Sequence, residues 1–375
     1  MTDHHIHIIS FDIPFPANYG GVIDIYYKLK ALHERGVKVH LHCFEYNREP
    51  APQMELLCEE VHYYPRKTGL IPNLSLLPYI VVSRKSEKMI KTLLKDDYPI
   101  LFEGMHSCYH LSDPRLKGRV KVYRESNIEH QYYHHLARAE SSISRKLYYS
   151  TEAVRLKWFE KKLRHADLML VVSKMDEQHL KDRFPDKKVQ FLPSFHREEK
   201  VSILPGKGSY ALYHGKLSIV ENQQAAAYLV QQVWDDSMPE LIIAGLNPST
   251  HMKRMVEKRP NIRLMTDLPE KEMDELIRHA HVNILVTFQP TGLKLKLLHA
   301  LFSGRFCIVN PLMLTGTNLD HLCLVGNDPD TLRQYVHETF HNEFLPEMIE
   351  TRAEFLNSSY GNKKNCQLLL EYVNL

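Results

Sequence analysis

The chain has 375 residues, of which 43% are hydrophobic and 25% are charged, and its formal net charge is +3. This composition is that of an ordinary globular protein and excludes a disordered or fibrous chain. The length favours two domains over one, and the small net charge gives no indication of a nucleic-acid partner.

Cysteine usage and apolar runs bound the cellular location. The six cysteines are scattered, without a Cys-x-x-Cys pair, which favours free thiols in a reducing cytoplasm over a disulfide framework or a zinc site. Residues 1–16 lack the charged start and long apolar core of a signal peptide. The longest apolar run, 76–82, contains Pro78 and is too short to span a bilayer. We therefore expect a cytoplasmic protein, either soluble or peripheral on the inner face of the membrane.

The first half of the chain alternates short apolar runs with helical patterns. Its helical patterns include Gly20–Arg35, Arg84–Asp96 and Ile143–His165. The predicted strands are His5–Asp12, Val37–Phe44, Val61–Tyr64, Pro99–Glu103, Val120–Glu125, Leu168–Ser173 and Val189–Leu192.

The second half repeats this alternation, with Pro269 at the first turn of a helix over Glu270–Ala280. Its predicted strands are Tyr210–Lys216, Leu241–Leu246, Asn261–Thr266, Val282–Phe288, Phe306–Asn310 and Leu322–Val325. Strands that alternate with helices predict parallel sheets covered on both faces, an α/β fold. The two series predict two doubly wound domains, 1–197 and 198–355. We expect a terminal helix, 356–375, to pack back on the first domain.

Ligands of open parallel sheets bind outside the carboxyl ends of the strands, so the loops after the strands are the candidate site. Gly20 and Gly21 open a helix after the first strand. A glycine-rich helix start offers backbone N–H groups to an anion, although a tight turn is the commoner reason for a glycine pair. His106 follows the fourth strand. It stands out among 23 histidines only by that position.

Three polar residues, Arg124, Asn127 and Glu129, follow the fifth strand. A helix cap with a surface Arg–Glu pair explains them as well as a ligand site does. In the second half, Gly215 and Lys216 leave the end of a strand. A glycine allows close backbone approach, and a lysine suits a phosphate, while a solvated lysine is the simpler alternative.

The stretch "QPTGLKLKLLHALFSG" (289–304) follows an apolar strand and predicts a helix from Gly292. Residues four, seven and eleven positions on share its face, so Lys296, His299 and Ser303 form one polar stripe on an otherwise apolar helix. Lys294 lies elsewhere in the first turn, where the positive end of the helix favours an anion. We predict that the stripe and the helix start face a ligand.

These residues also carry a family resemblance. "PTGLKLKLLHALFSG" resembles the "GTGIK-x-K-x-LEAMA-x-G" signature of the glycosyltransferase group 1 family. The segments "PFPANYGG", "YRESNIEHQYY", "HADLMLVVSKMDEQHL" and "HGKLSIVENQQA" are similar to further family segments in the same order, so the resemblance covers most of the chain. It implies the GT-B fold, in which two Rossmann-like domains face a central cleft. The N-terminal domain would take the acceptor, and the C-terminal domain the nucleotide sugar.

The resemblance assigns roles residue by residue. It places Gly20 and Gly21 at the donor phosphates and His106 beside the transferred sugar. Gly215 and Lys216 would bind phosphate, so that His106 and Lys216 are the predicted catalytic residues. Arg124, Asn127 and Glu129 would lie on the acceptor side.

The glycine-started helix would supply the remaining donor contacts. Backbone groups of Thr291, Gly292, Leu293 and Lys294 would reach the diphosphate or the sugar, and His299 matches a ribose-binding glutamate. The chain departs from the family there, because a histidine replaces a carboxylate. It departs again at Glu221-Asn222, where many members have a phosphate-binding lysine. Lys294 or Lys296 could supply that charge.

The implied reaction transfers a sugar from a nucleoside-diphosphate sugar to a hydroxyl of a saccharide or lipid-linked acceptor, with retention. It uses no metal and no cofactor beyond the donor itself, and it would serve polysaccharide or glycolipid synthesis. Two alternatives stay open. One is a non-catalytic member that acts as a binding partner, and the other is a sugar-nucleotide 2-epimerase of similar architecture.

A basic helical face gives a further expectation. Arg84, Lys88, Lys91 and Lys95 are spaced to share one face of a predicted helix. An anionic membrane surface would attract such a face, although a merely solvated helix face explains it equally well.

Overall fold

The computed structural model describes residues 4–140, 142–289 and 294–375. The chain divides into two compact units. Unit 1 holds the chain up to Arg197 together with Asn362–Leu375, and unit 2 holds the described residues from Glu198 to Gly361. Each unit is built on one parallel sheet.

The sheet of unit 1 has the strand order β3-β2-β1-β4-β5-β6-β7. Its strands are β1 His5–Ser10, β2 Lys38–Glu45, β3 Glu60–Pro65, β4 Ile100–Glu103, β5 Lys121–Arg124, β6 Leu168–Val171 and β7 Lys188–Phe191. Neighbouring residues of one strand enter different cores, as Ile100 and Phe102 belong to one cluster and Leu101 to the other. Such burial on both faces explains why β4 begins with the unbroken apolar run Ile100–Phe102.

Helices cover both faces of this sheet. They are α1 Gly20–Glu34, α2 Pro52–Glu55, α3 Leu70–Asn73, α4 Tyr79–Val82, α5 Glu87–Leu93, α6 Glu129–Ala139, α7 Ile143–Phe159 and α8 Lys174–Arg183. Unit 1 also contains short 3₁₀ segments at Met105–His110, Pro114–Leu116 and Glu160–His165. The last helix of the chain, Asn362–Val373, belongs to the same unit, and its Cys366 thiol lies 3.4 Å from the carbonyl oxygen of Ala31 in α1.

Unit 2 repeats the architecture with the strand order β10-β9-β8-β11-β12-β13. Its strands are β8 Tyr210–His214, β9 Glu240–Gly245, β10 Ile262–Thr266, β11 Val282–Leu285, β12 Phe306–Val309 and β13 Leu324–Val325. Its helices are α9 Val220–Tyr228, continued by a π-helical turn Leu229–Val233, α10 Thr250–Val256, α11 Glu270–His279, α12 Leu295–Ser303, α13 Pro311–Leu314, α14 Pro329–His341 and α15 Pro346–Ser359, with a 3₁₀ turn at Asp320–Leu322. The final helix of unit 1, Asn362–Val373, is α16. The predicted α/β class with two Rossmann-like domains is therefore confirmed.

A row of histidines crosses one face of the sheet in unit 1. His7 Nδ1 lies 2.9 Å from His42 Nε2, and His5 Nδ1 lies 2.9 Å from His40 Nε2. The register of β1, β2 and β3 brings them together, since His7 pairs with His40 and His42 pairs with His62. Burial lowers the pKa of His7 to about 4, although the hydrogen bond that His7 Nε2 donates to the Asp96 carboxylate acts in the opposite direction. Burial likewise holds the pKa of His42 well below its usual value, so the two buried members of the row, His7 and His42, favour the neutral form.

Two further expectations can be compared with the structure. All six cysteines are free thiols. Within the residues described, no helix combines the length and the apolar character needed to cross a bilayer.

Candidate active site

In unit 1, the ring of Phe11 brings together the residues predicted after the first and fourth strands. A Cβ atom on Gly21 would come within 2.6 Å of this ring, so close packing explains the glycine. On its other side the ring lies 5.1 Å from the imidazole of His106. Gly20 begins α1 without a side-chain cap and without an acidic residue in the first turn. No side chain among the described residues caps this helix start, and the anion contact at Gly20 and Gly21 stays a prediction.

His106 lies beside a buried carboxyl group. Its Nδ1 atom is 3.8 Å from Oε1 of Glu129, whose side chain is 3% exposed. Burial raises the pKa of Glu129 to about 8, although the charge of Arg84 opposes this. Burial, together with Arg84 and Arg66, holds the pKa of His106 well below its usual value. At neutral pH the pair is therefore a protonated carboxyl group beside a neutral imidazole, and His106 Nδ1 has no hydrogen-bond partner among the described residues.

Arg84 does not belong to the basic helical face that was predicted for it. Its side chain is buried, and Nε donates to the carbonyl oxygen of Phe11 at 2.8 Å while Nη1 donates to that of Ile80 at 2.5 Å. Helix α5 begins only at Glu87, because Ser86 caps it by accepting a hydrogen bond from the Met89 backbone. Arg84 therefore belongs to the site around His106 and Glu129. No local sequence signal marks this role, because the partner Phe11 lies 73 residues away along the chain.

Arg124 does not fit the acceptor-side role predicted for it. Its side chain is 1% exposed, and it donates to the carbonyl oxygens of Leu192 at 2.5 Å and Pro193 at 3.1 Å. It also contacts Asp24 at 3.4 Å. These bonds are internal to unit 1 and make Arg124 a structural cation. Asn127 is half-buried and its backbone N–H donates to Glu125, so only Asn127 and Glu129 remain as acceptor-side predictions.

In unit 2 the predicted site residues meet at the carboxyl end of β8. A Cβ atom on Gly215 would lie 3.1 Å from the side chain of Asn222, so the glycine lets this amide approach the strand end. The Asn222 amide donates to the carbonyl oxygen of Lys216 at 3.0 Å and accepts from the Lys296 ammonium at 3.2 Å. The Lys296 ammonium also lies 5.3 Å from the centre of the Tyr213 ring. The ammonium of Lys296 therefore lies at Asn222, next to the position where this chain has Glu221-Asn222 instead of the lysine found in many members of the resembled family.

The charge of Lys296 is only weakly compensated. Burial and the neighbouring Lys294 lower its pKa to about 8, and Glu221 opposes this shift. The burial of His214 and the nearby charge of Lys296 lower the pKa of His214 to about 3. Lys216 is exposed at the strand end. The ammonium of Lys296 thus lies among neutral groups and other lysines, and a bound anion would stabilise its charged form.

His299 lies on the predicted stripe but contacts carboxylates. Its Nε2 atom is 3.4 Å from Glu198 Oε1 and 3.5 Å from Asp274 Oδ1. Ser303, one turn further along α12, donates to the other oxygen of Glu198 at 3.2 Å. The replacement of a family glutamate by His299 is thus accompanied by an acidic neighbour that sequence reasoning missed. The remaining predictions on this helix start, Thr291, Gly292 and Leu293, lie outside the described residues.

One group in the described residues has metal-ligand spacing, and it consists of His130, Glu160 and His179 in unit 1. Burial would raise the pKa of Glu160, but hydrogen bonds from His130 and His179 outweigh it and lower the value to about 2. Arg183 lies 3.5 Å from its second oxygen. The carboxylate of Glu160 thus has three basic neighbours within unit 1, namely His130, His179 and Arg183.

The chain was compared with known proteins in sequence and in fold. No family model matches the chain. An uncharacterized 44.6 kDa protein in the cps region of Klebsiella pneumoniae is 26% identical over 381 residues, which cover 95% of this chain and 96% of that protein.

Solved structures resemble the chain over its full length. An Anabaena protein, Alr3699/HepE, in complex with UDP and glucose, has a TM-score of 0.67 at 10% identity and covers 98% of this chain and 99% of its own. The chain has the GT-B fold. A TarM mutant from S. aureus, in complex with Fondaparinux, alpha-GlcNAc-glycerol and UDP, gives 0.64 at 10% identity, with full coverage of both chains. UGT89C1 from Arabidopsis thaliana, complexed with UDP-L-rhamnose, gives 0.59 at 14% identity, also with full coverage of both.

Proposed function

We propose that the protein is a glycosyltransferase that moves a sugar from a nucleoside-diphosphate sugar to an acceptor hydroxyl. The observation that carries this proposal is the group of Lys216, Asn222 and Lys296 at the carboxyl end of β8. Strand β8 lies between β9 and β11, where the strand order of unit 2 reverses direction. Ligands of doubly wound folds bind at this switch point. The UDP-containing complexes of similar fold support the same class of ligand.

The cations of unit 2 fit the chemistry of the leaving group. When the bond between the anomeric carbon and the diphosphate oxygen breaks, the electron pair stays on that oxygen and negative charge builds up there. Lys296 is held in place before the reaction by Asn222 and by the Tyr213 ring. A preorganised ammonium that gains more from the developing charge than from the bound donor lowers the barrier. The donor oxygen itself then takes the acceptor proton, consistent with the retaining, metal-independent reaction of group 1 enzymes.

In unit 1, His106, Glu129 and Arg84 would serve the sugar and the acceptor. The neutral imidazole offers one donor and one acceptor to hydroxyl groups. The buried Arg84 favours the neutral form of that imidazole, and the Glu129 carboxyl group beside it is protonated. This arrangement suits neutral polyhydroxyl ligands better than an anion. The similarity to a protein from a cps region supports a saccharide or lipid-linked acceptor in polysaccharide synthesis.

The acidic neighbour of His299 suggests how the ribose is bound. The family uses a carboxylate that accepts from both ribose hydroxyls, whereas a neutral imidazole has only one acceptor nitrogen. Glu198 contacts both His299 and Ser303. We therefore assign the ribose contact to Glu198 and a positioning role to His299.

A binding screen tests the donor assignment. UDP, GDP, ADP and CMP are added to the protein, and the midpoint of thermal unfolding is measured, since a ligand of the folded state raises it by mass action. Replacing Lys216 with Ala should weaken binding of the preferred nucleoside diphosphate far more than binding of its nucleoside. Equal losses for both ligands would contradict a phosphate contact at this strand end.

A product assay separates the transferase from the two alternatives. A transferase releases nucleoside diphosphate from the donor sugar in proportion to added acceptor. An epimerase converts the sugar without needing an acceptor, and a non-catalytic binding protein does neither. Acceptor-independent conversion, or donor binding without turnover for every acceptor offered, would contradict the proposal.

A further inference from the structure

The segment 69–77 of unit 1 exposes large apolar side chains that the core does not use. Leu70, Ile71, Leu74 and Leu76 are 81%, 86%, 82% and 93% exposed. Only Pro72 of helix α3 is buried. Single exposed leucines are ordinary, but a contiguous apolar group of this size on a folded protein marks an interaction site.

Helix α7 carries a second exposed apolar row. Ile143, Leu147, Val154 and Trp158 are 85%, 67%, 59% and 72% exposed. With 3.6 residues per turn, these positions fall within about 60° of one another around the helix axis. The opposite side of α7 packs through Leu156 and Phe159 into the core. The helix is thus apolar on two sides, and the core accounts for only one.

The segment and the helix form one continuous surface. Arg155 of α7 donates to the carbonyl oxygen of Asn73 at 3.2 Å, and Glu152 accepts from the backbone of Tyr79 at 2.7 Å. Leu70 and Leu147 line the same open depression, of about 650 Å³. We call this surface, made of residues 69–77 and the exposed side of α7, the apolar face.

The exposed charges along α7 and the turn after it have one sign. From Ser142 to His165, the acidic residues are Glu152 and Glu160, and both are buried. The exposed charged residues of this stretch are all basic, namely Arg145, Lys146, Lys157, Lys161, Lys162 and Arg164. Lys161 lies 5.6 Å from the centre of the Trp158 ring. Exposed Trp and Leu beside lysines is the pattern of a helix that lies in a membrane interface.

We propose that the apolar face docks on the surface of an anionic lipid bilayer, with Ile71, Leu74 and Trp158 entering the interface. A second copy of this chain is a poorer occupant. In a two-fold interface the same surface supplies both sides, and the exposed charges of residues 142–165 include no acidic group to pair with the lysines of the other copy. An anionic bilayer instead offers hydrocarbon to the leucines and phosphates to the lysines.

This surface replaces the basic helical face expected from the sequence. Arg84 is buried, and Lys88, Lys91 and Lys95 lie on α5 or just after it, without a comparable exposed apolar group around them apart from Leu94. Docking needs neither donor nor acceptor, so it stands independently of the proposed transfer reaction.

The two tryptophans make the test direct. Trp158 is 72% exposed, whereas Trp234 is 3% exposed in unit 2, so a change in emission reports Trp158. Vesicles of phosphatidylcholine with phosphatidylglycerol should shift the emission to shorter wavelength and carry the protein down in sedimentation. Pure phosphatidylcholine vesicles should bind at least tenfold more weakly, and added salt should release the protein. This measurement on the unmodified chain requires no variant to fold.

Variants locate the contact. The double variant Ile71→Glu/Leu74→Glu should weaken binding to the anionic vesicles at least tenfold, and Lys157→Glu should weaken it several-fold. The matched control is Leu56→Glu, since Leu56 is 75% exposed but follows α2, which packs on the other face of the sheet. Unchanged emission with both vesicle types would overturn the proposal. So would a concentration-dependent dimer that shifts the emission without vesicles, which would assign the face to a second copy.

Discussion

A fully buried lysine of unit 1, Lys28, and a half-buried lysine of unit 2, Lys296, differ in their partners. Lys28 of unit 1 is fully buried, and it contacts Asp24 at 3.0 Å and Glu103 at 2.5 Å. Lys296 of unit 2 contacts only the neutral Asn222 side chain among its recorded hydrogen bonds, and its pKa is lowered to about 8 by burial and by Lys294. The charge of Lys28 is neutralised by carboxylates of the protein, whereas the charge of Lys296 would be stabilised by a bound anion. The difference separates a residue that holds a domain together from one that binds a ligand.

The largest expected effect is on the stability of unit 1. Lys28→Met leaves the buried Glu103 without its paired cation and leaves Asp24 with Arg124 alone, which should lower the free energy of unfolding by about 3–5 kcal/mol. Lys296→Met removes a partly desolvated charge and should leave that free energy nearly unchanged. Urea unfolding followed by circular dichroism compares the two variants. Equal destabilisation would contradict the contrast between the lysines.

A somewhat smaller effect concerns the histidine row. The pKa of His7 is about 4 in the folded protein, because burial disfavours the imidazolium, and about 6.5 in the unfolded chain. A lowered pKa means that the stabilisation is complete above pH 6.5 and is lost as the pH falls toward 4. The imidazole of His7 should therefore lower the free energy of unfolding by about 2 kcal/mol between pH 7 and pH 5. This contribution is measured as the difference in slope between the unmodified protein and His7→Gln, because the opposite contribution of Glu129, whose pKa is raised, is common to both. Equal slopes in the two proteins would show that His7 does not titrate on unfolding.

The smallest effect is on the ligand affinity of unit 2. As the pH rises through about 8, Lys296 in the free protein loses its proton. The affinity for a nucleoside diphosphate should then fall by up to tenfold per pH unit, while the affinity for the nucleoside stays constant. Calorimetric titrations between pH 7 and pH 9 check this. An affinity for the diphosphate that is flat over this range would mean that Lys296 does not contact the phosphates.

The sequence predicted the framework well and the partners of charged residues poorly. Every strand of the two sheets lies where a β-branched or apolar run indicated one, because the buried positions of these strands are largely apolar. Arg84 and Arg124 were interpreted as surface or ligand residues, yet both are buried. Their partners explain the error, since Arg84 bonds Phe11, 73 residues away, and Arg124 bonds Leu192, 68 residues away. No local pattern reveals such contacts.

The candidate site divides in the same way. The stripe of Lys296, His299 and Ser303 follows from helical periodicity, and these residues do share one face of α12. The approach of Lys296 to Asn222 spans 74 residues, and that of Glu198 to Ser303 spans 105. The periodicity of one helix could indicate which residues point together. It could not indicate which residue of another element they meet.

The central claim is that Lys296 binds the diphosphate of a nucleotide-sugar donor. Isothermal titration calorimetry with UDP and with uridine, on the unmodified protein, on Lys296→Met and on Lys253→Met, tests it most directly, with another nucleoside diphosphate and its nucleoside substituted if the thermal screen prefers them. Lys253 is an exposed lysine of the same unit and serves as the control. We predict that Lys296→Met loses at least tenfold in affinity for the diphosphate and keeps its affinity for the nucleoside, while Lys253→Met changes neither. Unchanged diphosphate affinity in Lys296→Met would contradict the account.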